Sequence, residues 1–589
     1  MTITRKKLMD AKSRPWHVIA AMLFLAGSAV GAPIQWWVTN PLEKIRPTDL
    51  APAAPLKRAE LYAARNEFEP FQLVLRAGGD EERDIDVDCS SLRGKRGEEI
   101  SKDNINVYAE GFVNVTHPSL ASGLPGEWPD PLIPRVDRYT NEKRNAFPFS
   151  LARDRNQPVW IEIFVPSTTA PGEYTGTVSV LRHHVAEFTV PIRLTVWAFV
   201  LPSTSTLKSS FGLNGTTILK QHLGRYTSDE DLYRLTRLYE KAALLHRVSV
   251  HGGSQAPPKH RYAGGRMLID WDPYDAEVGP FLDGTALDAG PLRGAKATSV
   301  ELRGLATFDP PEQAAYWAAW MQHFEQKGWR DKLFLYLWDE PAPADYAKVL
   351  ERGRAAITAV PNLRTLVTAP FSTTLAEAVR IWAPLINCLE RKPGSEDFCA
   401  VAGTAEDYAH EVQHGKSLWF YQSCASHGCG GEGGPYFEGW PSYMIDASGP
   451  ANRVMQWVAW KYRIDGELYY SMNEAYAHGD PWTDVRLFGG NGDGTLFYPG
   501  LPSKIGGNTH IPIESIRLKL IREGMEDYEY LTLLTHFDTK AAAQYAARIV
   551  QATYSWETRP DSFLQVRREL GEALQRLEAA HLANRSNAP

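Results

Sequence analysis

The apolar positions of this chain change their period once. In the first third they alternate or run in short blocks, as in Glu69-Pro70-Phe71-Gln72-Leu73-Val74-Leu75, Asp84-Ile85-Asp86-Val87-Asp88 and Val159-Trp160-Ile161-Glu162-Ile163-Phe164-Val165. Thr175-Gly176-Thr177-Val178-Ser179-Val180 and the run from Phe188 to Val196 continue the pattern, with turn signals such as Pro171-Gly172-Glu173-Tyr174 between them. Short strands with turns at this spacing predict an all-β sandwich over 33–203. Leu201-Pro202-Ser203 marks its end. No constellation inside it carries chemistry, so its expected role is support or ligand presentation.

From residue 207 strand-like runs alternate with helical periodicity. Strands are expected at 209–214, 247–251, 299–302, 333–338, 364–368, 386–389, 417–421 and 467–471. Helices are expected at 229–246, 272–282, 311–326, 344–360, 375–382, 404–414, 451–463 and 513–537. Alternation of this kind predicts a parallel sheet, and eight strands predict a (β/α)8 TIM barrel over 207–538. Short C-terminal helices at 539–554 and 562–583 fill a closing segment, 539–589, and the last reads as a solvated packing helix. The expected architecture is therefore multidomain: an all-β sandwich, a barrel, then helices.

The fourth barrel strand, Leu333-Phe334-Leu335-Tyr336-Leu337-Trp338, runs into Asp339-Glu340-Pro341. Pro341 lacks an amide donor and should end the strand. Two carboxylates then stand at the carboxyl end of a barrel strand, where such folds do chemistry. The competing reading makes Asp339 the cap of the next helix.

Composition narrows the function classes. Charged residues are 23% of the chain and the net charge is −7, which gives no support to nucleic-acid binding. The 18 Trp and 25 Tyr suit sugar clefts as well as large cores. Residues 1–32 read as a signal peptide: Arg5, Lys6, Lys7 and Arg14, a short apolar core from Val18 to Ala26, then small residues ending at Ala32; the alternative reading is a single-pass anchor that is never cleaved. The expected location is periplasmic or secreted, with no membrane span in the mature chain. Export permits disulfides. Cys424 with Cys429, and Cys388 with Cys399, are close enough to pair, which leaves Cys89 unpaired or buried. His427 between Cys424 and Cys429 raises the question of zinc, but the spacings match no common structural zinc pattern, and no metal is expected.

The strand ends and their loops bring a polar and aromatic set to the expected catalytic face: Asn214, His251, Asp339, Glu340, Thr368, Glu390, Arg391, Tyr421, Tyr470, Asn473 and Glu474. Loops add Trp440, Trp482, Asp493 and Tyr498. Carboxylates with aromatic platforms suit sugar hydrolysis, where an acid protonates the leaving oxygen. Several of these have structural readings beside the functional one. Asn214 and His251 are open between a sugar hydroxyl and a bond within their own loops. Trp482 is a sugar platform or core. Glu390-Arg391 is an ion pair, an alternative nucleophile or an anion contact, and the Gly428 to Gly434 stretch reads as a flexible lid.

The usual retaining mechanism needs two carboxyl groups about 5 Å apart. Strand seven, Trp419-Phe420-Tyr421-Gln422, offers none; Tyr421 stands where a nucleophile would be sought. The second acid must come from strand six, strand eight, or the neighbouring position on strand four. The last option suits substrate-assisted hydrolysis, in which a 2-acetamido oxygen attacks the anomeric carbon, one carboxylate orients the acetamido nitrogen and the other protonates the departing oxygen.

Asp339-Glu340-Pro341 on a strand end resembles the catalytic pair of glycoside hydrolase family 123. Gly492-Asp493-Gly494-Thr495-Leu496-Phe497-Tyr498-Pro499-Gly500 and the run from Ser515 to Leu531 are similar to signatures of the broader group, once known only as an uncharacterised conserved domain. The resemblance spans roughly residues 35 to 540. It implies a retaining β-N-acetylgalactosaminidase working through an oxazoline-type intermediate, with Glu340 as general acid/base and Asp339 orienting the acetamido group. Tyr421, by strand position, is the candidate donor to the acetamido oxygen. The implied partner is a glycan or glycoconjugate with terminal β-linked N-acetylgalactosamine, and no cofactor is needed. The alternatives are a glycosidase of the same group acting on a sugar without a 2-acetamido group, with Glu390 or Glu474 as second acid, or a non-catalytic carbohydrate-binding protein. Within the last signature, Arg517, Arg522, Glu526 and Asp527 read as a buried charge network closing the barrel.

Overall fold

The computed structural model describes residues 34–121, 123–304, 309–393, 405–427, 436 and 438–586. The expected signal segment 1–32 and the Gly428 to Gly434 stretch lie outside the described residues. No helix among the described residues is long and apolar enough to cross a membrane.

The N-terminal part is two sheets packed face to face. The first has the order Gln35–Thr39, Glu67–Arg76, Asn156–Val165, Ile105–Val115, Gly126–Pro134, Ile511–Ser515, Phe497–Gly500. The second runs Ala59–Arg65, Val185–Val200, Gly172–Arg182, Glu82–Cys89, Phe149–Leu151, with Leu92–Gly94 and Glu99–Ile100 beside it. Alternation along Glu82–Cys89 turns Ile85, Val87 and Cys89 inward, where they join Leu73, Ile161, Val178 and Ile192 in one core. Cys89 is free and buried there, and burial pushes its thiol up to about 12. Cys388 and Cys424 are disulfide-bonded. The partners expected for them, Cys399 and Cys429, lie outside the described residues.

The eight-stranded parallel sheet is a nearly closed barrel. Its strands, one to eight, are Lys208–Leu213, Val250–Gly252, Val300–Glu301, Leu333–Trp338, Arg364–Val367, Ile381–Trp382, Ser417–Tyr421 and Gly466–Tyr469. The hydrogen-bonded order ends at strands two and three, and hydroxyls bridge that seam from below. The Thr298 amide donates to Ser249 Oγ at 2.7 Å, and the Ser209 amide to Thr298 Oγ1 at 3.0 Å.

Four expectations are corrected, the helix expected at 375–382 among them. Strand six is Ile381–Trp382, and the segment expected to form it is a 3-10 turn, Ile386–Cys388. Leu375, Val379 and Trp382 have helical spacing because all three are buried, although the backbone from 373 to 378 only turns. Trp382 is fixed as strand by its neighbours, lying opposite Val367 on one side and Leu418 on the other. The helix expected from 513 begins at Ile516, with Ser515 as its cap. Residues 511–515 instead extend the first N-terminal sheet, so the chain returns to the sandwich after the barrel. Finally, the last helix is long, Pro560–Ser586, and one face of it is dry: Arg567 is buried and bonds Asp527 Oδ1 through Nε at 2.8 Å.

The helix Ile516–Phe537 lies between the two parts and carries buried charge on each turn from Arg517 to Glu529. Arg517 Nε and Nη2 reach Asp130 at 2.9 and 2.8 Å, and Lys519 and Arg522 both reach Glu162 at 3.0 Å. Asp527 takes Arg453 Nε at 2.7 Å and Trp457 Nε1 at 2.8 Å, and Glu526 takes Arg247 Nε at 3.1 Å. The network joins sandwich to barrel, so it fixes their geometry instead of acting at the barrel mouth.

Candidate active site

Strand four is buried because strands three and five flank it, with Phe334 opposite Glu301 and Arg364. Its register slips between Tyr336 and Trp338, at the edge where the two acids follow. Such irregularities re-aim side chains. The next helix, Tyr346–Ala359, starts well beyond Asp339, so Asp339 does not cap it.

Period two along the strands places Phe334, Leu366, Ile381, Trp419 and Leu468 inside the barrel. One layer above, at the mouth, stand Tyr336, Thr368 and Tyr421. They hold the two acids, whose side chains are exposed toward the opening. Tyr336 donates to Asp339 Oδ1 at 2.6 Å, and Thr368 Oγ1 donates to the same oxygen at 2.9 Å. Tyr421 donates to Glu340 Oε1 at 2.5 Å. Burial, with Glu340 beside it, pushes the Tyr421 hydroxyl far above its ordinary range, so it stays a neutral donor. Glu340 itself has a φ of 44°, the left-handed region that a non-glycine residue avoids. Backbone strain of this kind gathers at functional sites.

His251, at the end of strand two, joins this layer. Its Nδ1 lies 3.1 Å from Ser210 Oγ. Burial, reinforced by the Arg303 guanidinium, lowers its pKa to about 4, with Asp339 opposing the shift, so the ring is neutral near pH 7. Arg303 lies 3.7 Å from Glu301 at the end of strand three. Tyr470, just past strand eight, closes the ring; burial and then Asp493 raise its hydroxyl pKa. Asp493 is buried and accepts the Cys424 amide at 3.0 Å, which ties the strand-seven loop to the strand-eight loop. Glu474 lies beside Tyr470, 3.4 Å from His478 Nε2.

The other candidate residues are placed elsewhere. Asn214 caps the helix Gly215–Leu223 through its side chain, and its amide donates to Asn473 Oδ1 at 2.9 Å. Asn473 returns Nδ2 to Asn214 O at 3.1 Å and Thr217 Oγ1 at 2.9 Å, so the two asparagines lock loops one and eight together. Glu390 bonds the Tyr462 hydroxyl and, at 3.1 Å, the Thr553 amide, on the outer helical layer; Arg391 beside it is exposed. Trp440 is buried, donates to Tyr436 O at 2.9 Å and meets the Tyr554 ring edge. Trp482 donates to Pro499 O at 2.9 Å and packs on Tyr498, whose hydroxyl donates to Asp130 at 2.6 Å. Both therefore belong to the junction with the sandwich. Sequence reasoning passed over Tyr336 and Arg303. Tyr336 carried a signal, a hydroxyl in an otherwise apolar strand three residues before an acid.

The paired acids, the neutral hydroxyl donors around them and the open mouth fit acid-assisted cleavage of an exposed bond. Comparison with known proteins agrees. The model described as "Glycoside hydrolase 123 N-terminal domain" matches residues 48–182, and "Glycoside hydrolase 123, catalytic domain" matches residues 311–534. A family 123 glycoside hydrolase from Clostridium perfringens, studied for glycolipid glycan hydrolysis, has the same fold: TM-score 0.66, 13% identity, 94% of this chain and 99% of that one covered. A Bacteroides ovatus family 5 xyloglucanase aligns at TM-score 0.29 and 11% identity over 80% of this chain and 98% of its own. No curated protein matches the chain.

Proposed function

Because the chain belongs to glycoside hydrolase family 123, we propose that it is a retaining β-N-acetylgalactosaminidase that uses the substrate's own 2-acetamido group as nucleophile. The observation that supports this reading most is the adjacency of Asp339 and Glu340 on strand four, opposite a tyrosine on strand seven that donates to Glu340. Glu390 is held by Tyr462 and Thr553 on the outer helical layer, so it offers no carboxylate opposed to Glu340 in the way a covalent mechanism needs, and Glu474, nearer the mouth, pairs with His478.

In the proposed reaction the acetamido oxygen attacks the anomeric carbon while the bond to the leaving oxygen breaks. Glu340 gives its proton to that oxygen, and an oxazoline-type ring forms. Asp339, held by Tyr336 and Thr368, accepts the acetamido N–H and offsets the positive charge that develops there. The Tyr421 O–H, which donates to Glu340 in the resting site, turns to hydrogen-bond the acetamido oxygen and keeps its proton. Water then attacks the anomeric carbon, Glu340 takes the water's proton, and the ring opens with net retention.

The test compares an aryl N-acetyl-β-galactosaminide with its 2-hydroxy counterpart, for wild type, Glu340→Gln and Asp339→Asn. Hydrolysis of the N-acetyl sugar only, nearly lost in both variants, supports the reading. Equal turnover of the 2-hydroxy sugar, or full activity in both variants, sinks it. Export to the periplasm or beyond is part of the same proposal. It is supported by residues 1–32 and by the disulfide-bonded state of Cys388 and Cys424. A mature N-terminus at residue 33 in an exported fraction checks it.

A further inference from the structure

A short hairpin after strand eight carries an aromatic side chain where its backbone discourages one. Arg486 pairs with Asn491 and Leu487 with Gly490, which leaves Phe488 and Gly489 as the two-residue turn. Both have positive φ, 50° and 85°. That is the primed-turn geometry in which Asn-Gly or Gly-Gly is usual. Phenylalanine is strained there by its Cβ, and burial does not compensate, because Phe488 is 51% exposed. An aromatic side chain held in a strained backbone that burial does not offset points to a function.

Its ring meets Tyr470, with centroids 6.3 Å apart and planes at 66°. Tyr470 is two residues beyond Leu468, which pairs with Tyr421 and faces the barrel interior. A Cβ on Gly212 of strand one would lie 1.9 Å from the Tyr470 carbonyl oxygen and 3.1 Å from His251 Nε2. Tyr470 therefore belongs to the mouth layer that holds the acids, and Phe488 stands one ring further out, at the rim. The hairpin's base is fixed. Asn491 donates its amide to Ser119 Oγ at 2.8 Å and Nδ2 to His117 O at 2.9 Å, both in the N-terminal part. The Ile445 amide donates to Asn491 O at 2.9 Å.

We propose that Phe488, backed by Tyr470, is a stacking platform for a pyranose ring on the leaving side of the scissile bond. The proposal rests on the glycosidase reading above. The axial C–H bonds of a pyranose face are complementary to the negative face of an aromatic ring. A rim position, outside the acid layer, meets the departing sugar and not the one being cleaved. A phenylalanine has no polar group to select one hydroxyl pattern, so the platform admits more than one leaving sugar.

The test uses the full chain with two substrates: a disaccharide of β-linked N-acetylgalactosamine on a second pyranose, and N-acetyl-β-galactosaminyl fluoride, whose leaving group has no ring. Phe488→Ala is expected to lower kcat/KM on the disaccharide about tenfold and to leave the fluoride within about twofold of wild type. Phe488→Trp, which restores a ring, is expected to recover the disaccharide. The thermal midpoint of Phe488→Ala should not fall, since little burial is lost. Equal effects on both substrates, or no effect on either, would overturn the platform. A wild type that cleaves neither substrate overturns the N-acetylgalactosaminide reading and the platform with it, which separates the two failures.

Discussion

The Glu340 amide donates to the Thr368 hydroxyl at 2.7 Å, and it does so from a left-handed backbone with φ of 44°. The same hydroxyl spends its one proton on Asp339 Oδ1 at 2.9 Å. One side chain on strand five thus fixes the backbone of one acid and the carboxylate of the other. Strained residues persist only where their surroundings over-determine them.

Thr368→Val removes this hydroxyl at constant volume. The expected result is a ten- to hundredfold fall in kcat, in line with the ~1–3 kcal/mol of lost hydrogen bonding, with a smaller change in KM. Thr368→Ser should recover most of it. A valine variant with wild-type kcat would remove Thr368 from the positioning of the pair.

Tyr421→Phe deletes the neutral donor beside Glu340. A donor aimed at developing charge is worth about 10²–10³ in kcat, so a loss of that order is expected on the N-acetyl substrate. Circular dichroism and thermal midpoint should stay close to wild type, because the ring remains. Unchanged turnover would mean that Tyr421 only buffers Glu340 in the resting site.

Arg517 is wholly buried and serves Asp130, Gly492 O at 2.8 Å and Thr495 O at 2.6 Å. Arg517→Met leaves the Asp130 charge without its partner. Breaking such a pair costs about 3–5 kcal/mol. A lower denaturation midpoint is expected, with part of the loss regained in Arg517→Met, Asp130→Leu. A double variant no better than the single would show that the guanidinium acts mainly through the two carbonyls.

Burial lifts the Glu467 carboxyl to about 7, against the bonds from Tyr443 and Gln456. The folded state therefore binds more protons than the unfolded state between the ordinary value, 4.5, and about 7. The stability this group contributes is present below the lower value and is lost as pH rises through the upper one, by about 3 kcal/mol at most. Glu467→Gln should gain on wild type as pH rises across that window, measured as the difference in thermal midpoints. Parallel curves would contradict the assignment. His246 has the opposite sign: burial lowers it to about 3, so its contribution is lost as pH falls from 6.5.

The sequence alone determined the switch from period-two to alternating strand and helix, and with it the sandwich, the barrel and the acids on strand four. These are local properties. An apolar run ended by a proline reads the same wherever it packs. Strand six was misread because Ile381-Trp382 and the Ile386 segment are equally apolar, and only the flanking strands choose between them. The same limit applies at the site. Strand parity brought Asp339, Glu340, Tyr421 and His251 toward one mouth. Tertiary structure decided that Thr368 serves both acids, that Asn214 and Asn473 bond each other, that Trp482 faces Tyr498, and that a strained Phe488 stands against Tyr470. Each of these is a contact between segments far apart in the chain, set by which strands pair and where the sandwich docks, and local periodicity carries no record of such partners.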